Sequence, residues 1–383
     1  MATTRKRLPP GTKWITLPSG ARRVELVLDA GVYPATGKRR QVKRRLRTVE
    51  EACAEYARIR STATAGSYVS RSRVTVEQVA AQWLAGRRVR PSTAAGYRDS
   101  LKPVLAAYGG KAIQGLDKGD IDRLMTSLLD GAGRRRAWRP RTVNLMLTVL
   151  SMMLDDATRQ GLVVRNVAQL VDRVPQSRKE MQTFTAPEVR TVLDAAGADR
   201  MEVTWRLALS GLRRGEVCGL RWDAVDLAAK TLTIRETRVS VDGHVASSAP
   251  KTERGRRILP LTAPLLDALR RARKMQAAER LALGAAYVDS GYVVVDEAGR
   301  PLHPDTVSVR WAALLRRAGV RSIRLHDARH TCGTLMHLDG VPVAVIAAWL
   351  GHADGAFTMR TYVHSQDDAL RHAAERLTIV TSA

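Results

Sequence analysis

The sequence predicts a multidomain, mostly α protein with small sheets: an N-terminal three-stranded sheet plus helix, then a helical domain, then a mixed α+β domain. Three observations lead there. At 383 residues the chain exceeds what one small core organises. Alternation of apolar and basic residues, the period of half-buried strands, fills its first fifth. Helical periodicity then runs from about residue 74 to 173, and a mixture of both periods follows.

The strands come first. "KWITL", "ARRVELVLDAG" and "KRRQVKRRLRT" alternate, with turn signals at Gly20 and in "PATGK" between them. "TVEEACAEYARIRSTATA" reads as a helix opened by Thr48 with acids in its first turn. Lys38, Arg39, Arg40, Lys43, Arg44 and Arg45 are expected to form a basic face turned toward DNA, although a solvated strand edge would carry the same charges. "GSYVSRSR", residues 66–73, has no periodicity and reads as a linker. Four helical stretches follow, opening at "TVEQVAAQWLAG", "RPSTAAGYRDS", "DKGDIDRLMTS" and "RPRTVNLMLTV". Arg134, Arg135, Arg136, Arg139 and Arg141 sit in and beside the loop before the last of these, where they can grip phosphates. A second linker, "VPQSRKEMQTF", precedes a region of helices ("TAPEVRTVLDAAG", "MEVTWRLALSG", "GEVCGLRW") and strands ("KTLTIRETRVSVDGHV", "GRRILPL"). Further helices are expected at 262–284, 305–318, 327–339 and 342–350, the last with Pro342 near its start and Gly351 just past its end. The boundaries are therefore 1–65, a linker at 66–73, 74–173, a linker at 174–184, and 185–383.

Composition narrows the function. The formal net charge is +26, and residues 1–73 hold 17 Lys/Arg against 5 Asp/Glu. Such an excess argues for a polyanionic partner, nucleic acid before membrane. The longest apolar run, near residues 341–350, falls far short of a membrane span, and "MATTRKRLPPG" leads into no signal region. Three cysteines, odd in number and without C-x-x-C spacing, argue against a disulfide framework and for a reducing cytoplasm.

Six of the eight histidines lie between 326 and 372. His326, Asp327 and His330 spell H-D-x-x-H, near the H-E-x-x-H zinc pattern. The base would be a shortened Asp, and Arg329 would set a permanent cation beside the metal, so no metal or other cofactor is expected. A phosphate suits the surroundings better. Arg213 follows a Ser-Gly turn with Glu216 close enough to orient it, Lys251 lies at a strand edge or hairpin turn, His352 lies just past a helix end, and Tyr362 follows ten residues later. Two arginines can clamp a phosphodiester, histidines and a lysine can manage protons, and a tyrosine can attack phosphorus. Singly, each residue has a dull explanation; the weight lies in the ordered set.

That ordered set resembles the tyrosine recombinases, in particular the phage-type integrases, over essentially the whole chain. "SGLRRGE", "PKTERGRRILPL", "LHDARHT" and "WLGH…TY" match the family's boxes in order and spacing. The resemblance places the two catalytic arginines on Arg213 and Arg329, the lysine on Lys251, the histidines on His326 and His352, the nucleophile on Tyr362 and the supporting acid on Glu216. It further implies an arm-type DNA-binding domain at 1–65, a core-binding domain at 74–173 and a tyrosine-recombinase catalytic domain at 185–383. By the same resemblance the partners are double-stranded DNA at core and arm attachment sites, a homotetramer on a Holliday junction, a host DNA-bending protein and an excision factor. The setting it implies is the cytoplasm of a bacterial host, on the nucleoid, with integration and excision of a phage or mobile element. The alternatives are a type IB topoisomerase-like enzyme, against which the N-terminal basic sheet argues, and a non-catalytic DNA-binding regulator, which would not need the six aligned residues.

Overall fold

The computed structural model describes residues 7–32, 39–64, 68–69, 72–131, 136–177, 181–197, 199–249 and 255–352. Two compact units divide it, Met1–Arg178 and Lys179–Ala383. Among the described residues no helix is long and apolar enough to cross a membrane.

In the first unit β1 (Thr12–Thr16), β2 (Arg22–Val32) and β3 (Arg39–Leu46) form an antiparallel sheet with β2 central. Helix α1 (Val49–Thr64) covers one face, burying Leu26, Ala30, Val42 and Ile59. Alternation corrects the expectation of a single basic face. Arg44 stands opposite the buried Leu26, and its Nε lies 3.8 Å from Glu55 of α1, so it belongs to the helix side. Lys43 and Arg45 belong to the open side, because a one-residue step on a strand reverses the side chain. There Glu25 is almost fully buried, with Lys43 at 2.9 Å, Arg45 at 3.6 Å and Lys13 at 3.7 Å. The hydrogen bond from Lys43 holds the Glu25 carboxyl below its ordinary pKa. Arg39 pairs with Asp29 at 2.7 Å. Lys38 and the side chain of Arg40 lie outside the described residues. The stretch expected as a structureless linker contributes to this core: Tyr68 packs with Leu26 and Ile59.

Four helices follow: α2 (Val76–Ala85), α3 (Pro91–Tyr108), α4 (Lys118–Asp130) and α5 (Pro140–Arg159). Thr75 with Gln78, and Asp117 with Asp120, close reciprocal boxes at the starts of α2 and α4. Trp83, Leu101, Ile121, Leu128, Met146, Leu150 and Met153 fill the shared core. Each such side chain contributes about 1.5–3 kcal/mol when buried. Asn144 fastens the segment after α5, exchanging hydrogen bonds of 2.8 and 3.0 Å with the Val174 backbone. Arg136, Arg139 and Arg141 are exposed at the start of α5, while Arg134 and Arg135 lie outside the described residues.

The second unit opens with Phe184 buried and its N–H donated to Thr331 Oγ1, so the expected second linker ends in the core. Helices α6 (Ala186–Ala196), α7 (Glu202–Leu209) and α8 (Arg214–Gly219) precede β4 (Val225–Asp226), β5 (Thr231–Ile234), β6 (Thr237–Val241), β7 (His244–Ser248) and β8 (Arg257–Pro260). Strands β4, β5 and β8 make one antiparallel sheet, and β6–β7 a hairpin turning at Asp242-Gly243, both with positive φ. Helices α9 (Ala263–Leu283), α10 (Pro304–Arg317), α11 (Leu325–Leu338) and α12 (Val343–Leu350) complete it. Helix α8 stops at Gly219 rather than running through "LRW". Leu220 turns extended, and its carbonyl accepts the Val293 N–H, an alternative a continuing helix cannot offer. Trp205, Trp311 and Phe184 form the aromatic centre of this core, with ring centroids 5.6 and 6.3 Å apart.

Candidate active site

The turn after α7 sets the stage. Gly211 has φ +94°, and a Cβ there would meet Leu350 Cδ2 at 2.8 Å and Cys332 Sγ at 3.2 Å. Only glycine lets this turn nest against α11 and α12. Trp349 Nε1 donates to Ser210 O at 2.9 Å from the other side. The next residues carry the charge: Arg213 precedes the first turn of α8, and Glu216 reaches back to accept its backbone N–H at 2.9 Å.

Glu216, 1% exposed, is the hub. It accepts Arg213 Nη1 at 2.7 Å, and Arg257 Nη2 and Nη1 at 2.9 and 3.2 Å, while Arg329 Nη1 stands 3.8 Å away. Burial pushes this carboxyl up, but the hydrogen bond and charge of Arg257, then the charge of Arg213, outweigh it and hold the pKa below its ordinary value. Three guanidiniums against one carboxylate leave a local excess of positive charge.

The same arginines hold the carboxyl end of α12. Arg257 Nε donates to Trp349 O at 2.6 Å, Arg329 Nη2 to Leu350 O, and Arg213 Nη2 to Gly351 O at 2.9 Å. These are three consecutive carbonyls at a helix end, where unpaired carbonyls and the helix dipole both favour cations. Arg329 also donates to Gly211 O at 2.7 Å. Gly351 closes the helix in the left-handed conformation, which turns the chain so that His352 enters the site directly after it.

Helix α11 presents the remaining groups. The His326 and His330 rings meet edge to face at 4.8 Å. Desolvation and then the charge of Arg329 lower the His326 pKa. Burial and then His326 push His330 down to about 4, and burial with the charges of Arg329 and Arg213 pushes His352 to about 4. At neutral pH the imidazoles of His330 and His352 are therefore uncharged, and among the described residues the positive charge beside them is carried by Arg213, Arg257 and Arg329. Asp327, the carboxylate an H-D-x-x-H metal site would use as base, closes the start of α11 and binds Arg324 at 2.7 and 2.9 Å.

The structure thus brings together Arg213, Glu216, His326, Arg329 and His352. Lys251 and Tyr362 lie outside the described residues, between β7 and β8 and after α12 respectively. Arg213 is partly exposed, whereas Arg329 is 1% exposed beneath it. The sequence reading missed Arg257. Its signal was present: alternation in "GRRILPL" puts Arg257 on the same side as the buried Leu259 and opposite the exposed Ile258, and an arginine on the inner side of a strand requires a partner.

Comparison with known proteins addresses the family and the fold. Residues 182–369 match the model of the phage integrase family. A tyrosine recombinase XerC-like protein of Caldanaerobacter subterraneus is 27% identical over 256 residues, covering 62% of this chain and 66% of that protein, just under two thirds of its length. Among solved structures, the Tn1549 transposon integrase bound to transposon right-end DNA superposes with a TM-score of 0.66 at 18% identity, over 80% of this chain and 100% of that one. A lambda integrase tetramer bound to a Holliday junction gives 0.57 at 15% identity, over 94% and 96%. At such identities the structural likeness speaks for the fold, and the sequence matches speak for the family. Over residues 182–369 the chain carries the domain of the phage integrase family, and the relatives it is similar to include tyrosine recombinases.

Proposed function

We propose that this chain is a site-specific DNA recombinase that cuts and rejoins DNA through a 3′-phosphotyrosyl intermediate, integrating and excising a phage or mobile element. The observation that carries the reading is the convergence of Arg213 and Arg329 on Glu216 and on the end of α12, beside His326 and His352. In this reading Tyr362 attacks phosphorus and the 5′-oxygen leaves as a hydroxyl, protonated by Lys251. The phosphodiester becomes a phosphotyrosyl ester, so no external energy source is needed. Arg213 and Arg329 supply fixed positive charge to the pentacoordinate phosphorus, the electrostatic contribution that usually dominates. His352, uncharged, donates a hydrogen bond to the phosphate, and His326 assists proton transfer at Tyr362.

The domain division at 1–65, 74–173 and 185–383 follows from the same reading. The open side of the β1–β3 sheet binds arm sites, Arg136, Arg139 and Arg141 at the start of α5 bind core DNA, and a tetramer carries out exchange with a host bending protein and an excision factor. Incubating the full chain with nicked duplexes from its own element and resolving products on a denaturing gel tests the central claim. A protein–DNA adduct at a unique site is expected, and no adduct on any attachment DNA sinks the reading. Efficient relaxation of supercoiled DNA lacking an attachment site would instead favour a topoisomerase-like enzyme.

Two further outcomes follow. EDTA leaves the rate unchanged, since arginine and lysine charges do what a metal would; loss with EDTA and rescue by zinc would revive the H-D-x-x-H alternative. Deleting residues 1–65 abolishes protection of flanking arm sites while core cleavage survives. The log–log salt slope of binding should flatten on that deletion, by about 0.9 for each phosphate the domain neutralises. Footprints identical for full-length and truncated chains would make the basic sheet an extension of the core clamp.

A further inference from the structure

We propose that Arg257 is a positioning residue of the strand-cleavage reaction, fixing Glu216 and the end of α12 in one frame so that Arg213 and His352 are held in register. The inference rests on the recombinase reading above and goes beyond its six catalytic positions.

The geometry is specific. Arg257 sits in β8, 7% exposed, and three parts of the site meet on its guanidinium. Two nitrogens grip Glu216, the carboxylate that orients Arg213. Nε donates to Trp349 O, three residues before His352. Nη1 also reaches Gly255 O at 3.3 Å, four residues after Lys251 in the sequence. A planar fork with fixed donor directions can satisfy such partners together, which a lysine ammonium at the end of a flexible stem cannot. Arg257 itself is covered and reaches the reaction through its neighbours.

Glu216 faces Arg213 beside its own helix, Arg257 from β8 and Arg329 from α11. Arg221, Asp223, Arg235 and Glu236 line with it a cavity of about 600 Å³. Of these, Arg257 does most to keep the buried carboxyl ionised, by hydrogen bond and by charge. Without it, burial drives Glu216 toward the neutral acid, and Arg213 loses its anionic anchor as pH falls.

The test compares wild type, Arg257→Met, Arg257→Lys and Glu216→Gln as full-length chains, on a nicked core-site duplex located by footprinting the wild type. Single-turnover cleavage is followed from pH 5 to 8 beside duplex affinity and thermal melting. Arg257→Met should cleave on the order of 100-fold more slowly, the cost of misplacing reacting groups by about an ångström, with duplex affinity nearly unchanged. Its acid limb should move to higher pH, and that movement should vanish when Glu216→Gln is added, which separates Glu216 from the nearby His330 and His352. Arg257→Lys should keep the acid limb near its wild-type place but remain slower, since charge is retained and the fork is lost. Should Arg257→Met fail to fold, Arg257→Lys decides. Wild-type rates and acid limbs in the folded variants overturn the proposal; absence of any adduct with the wild type overturns the recombinase reading instead.

Discussion

On the recombinase reading, Tyr362→Phe is expected to abolish the covalent adduct and all strand exchange while leaving sequence-specific binding intact. The substitution removes one oxygen and leaves Arg213, Arg329 and the exposed arginines at the start of α5 untouched. Nothing else in the six-residue set can replace it. Lysine and the imidazoles can form labile phosphoramidates, but they lack the register that family resemblance assigns to the tyrosine. Catalysis by nucleophile and electrostatics is strongly non-additive, so losing the nucleophile costs nearly the whole rate enhancement. The measurement is trapping on a nicked suicide duplex, resolved on a denaturing gel, beside a mobility-shift titration of the same duplex. A persistent adduct in the variant would falsify the assignment of Tyr362, and abolished binding would show that the change disturbs the fold.

Glu216→Ala is the second large effect, and it appears first in stability. It removes the carboxylate shared by Arg213, Arg257 and Arg329, two of which remain almost wholly buried. Taking away one partner of a buried ion pair costs about 3–5 kcal/mol, because the cations left behind are uncompensated. Arg213 contributes less to this than its short contact suggests, being partly exposed and screened by solvent. For a unit of this size the loss corresponds to a melting temperature lower by on the order of 10 °C. The sign of the pH dependence follows from the depressed pKa of Glu216. Its contribution is fully present above the ordinary carboxylate value and is lost as pH falls through the lower folded value. Wild-type melting should therefore drop on acidification more steeply than that of Glu216→Gln. Equal melting temperatures for wild type and Glu216→Ala would show that the arginines find other partners.

The sequence determined the family that this protein resembles and the order of its elements. Arg213, Glu216, His326, Arg329 and His352 stand at spacings set by local turns and helices, and local structure is what a linear pattern encodes best. The helix starts at "TVEQ" and "DKGD" and the stop at Gly351 are legible for the same reason: each acts on residues within four positions of itself. Only the tertiary structure decided which cations share a face and which share a carboxylate. Arg44 lies against α1 while Lys43 faces away, a consequence of strand register that composition cannot express. Tyr68 and Phe184, in stretches that look like linkers, are drawn into cores because a lone aromatic gains more from burial than a polar segment loses. Arg257 meets Glu216 from 41 residues away and Trp349 from 92, a junction made by packing β8 against α8 and α12. Contacts at such separations are set by how layers close on one another, and the buried charge at their meeting point becomes visible only once they have closed.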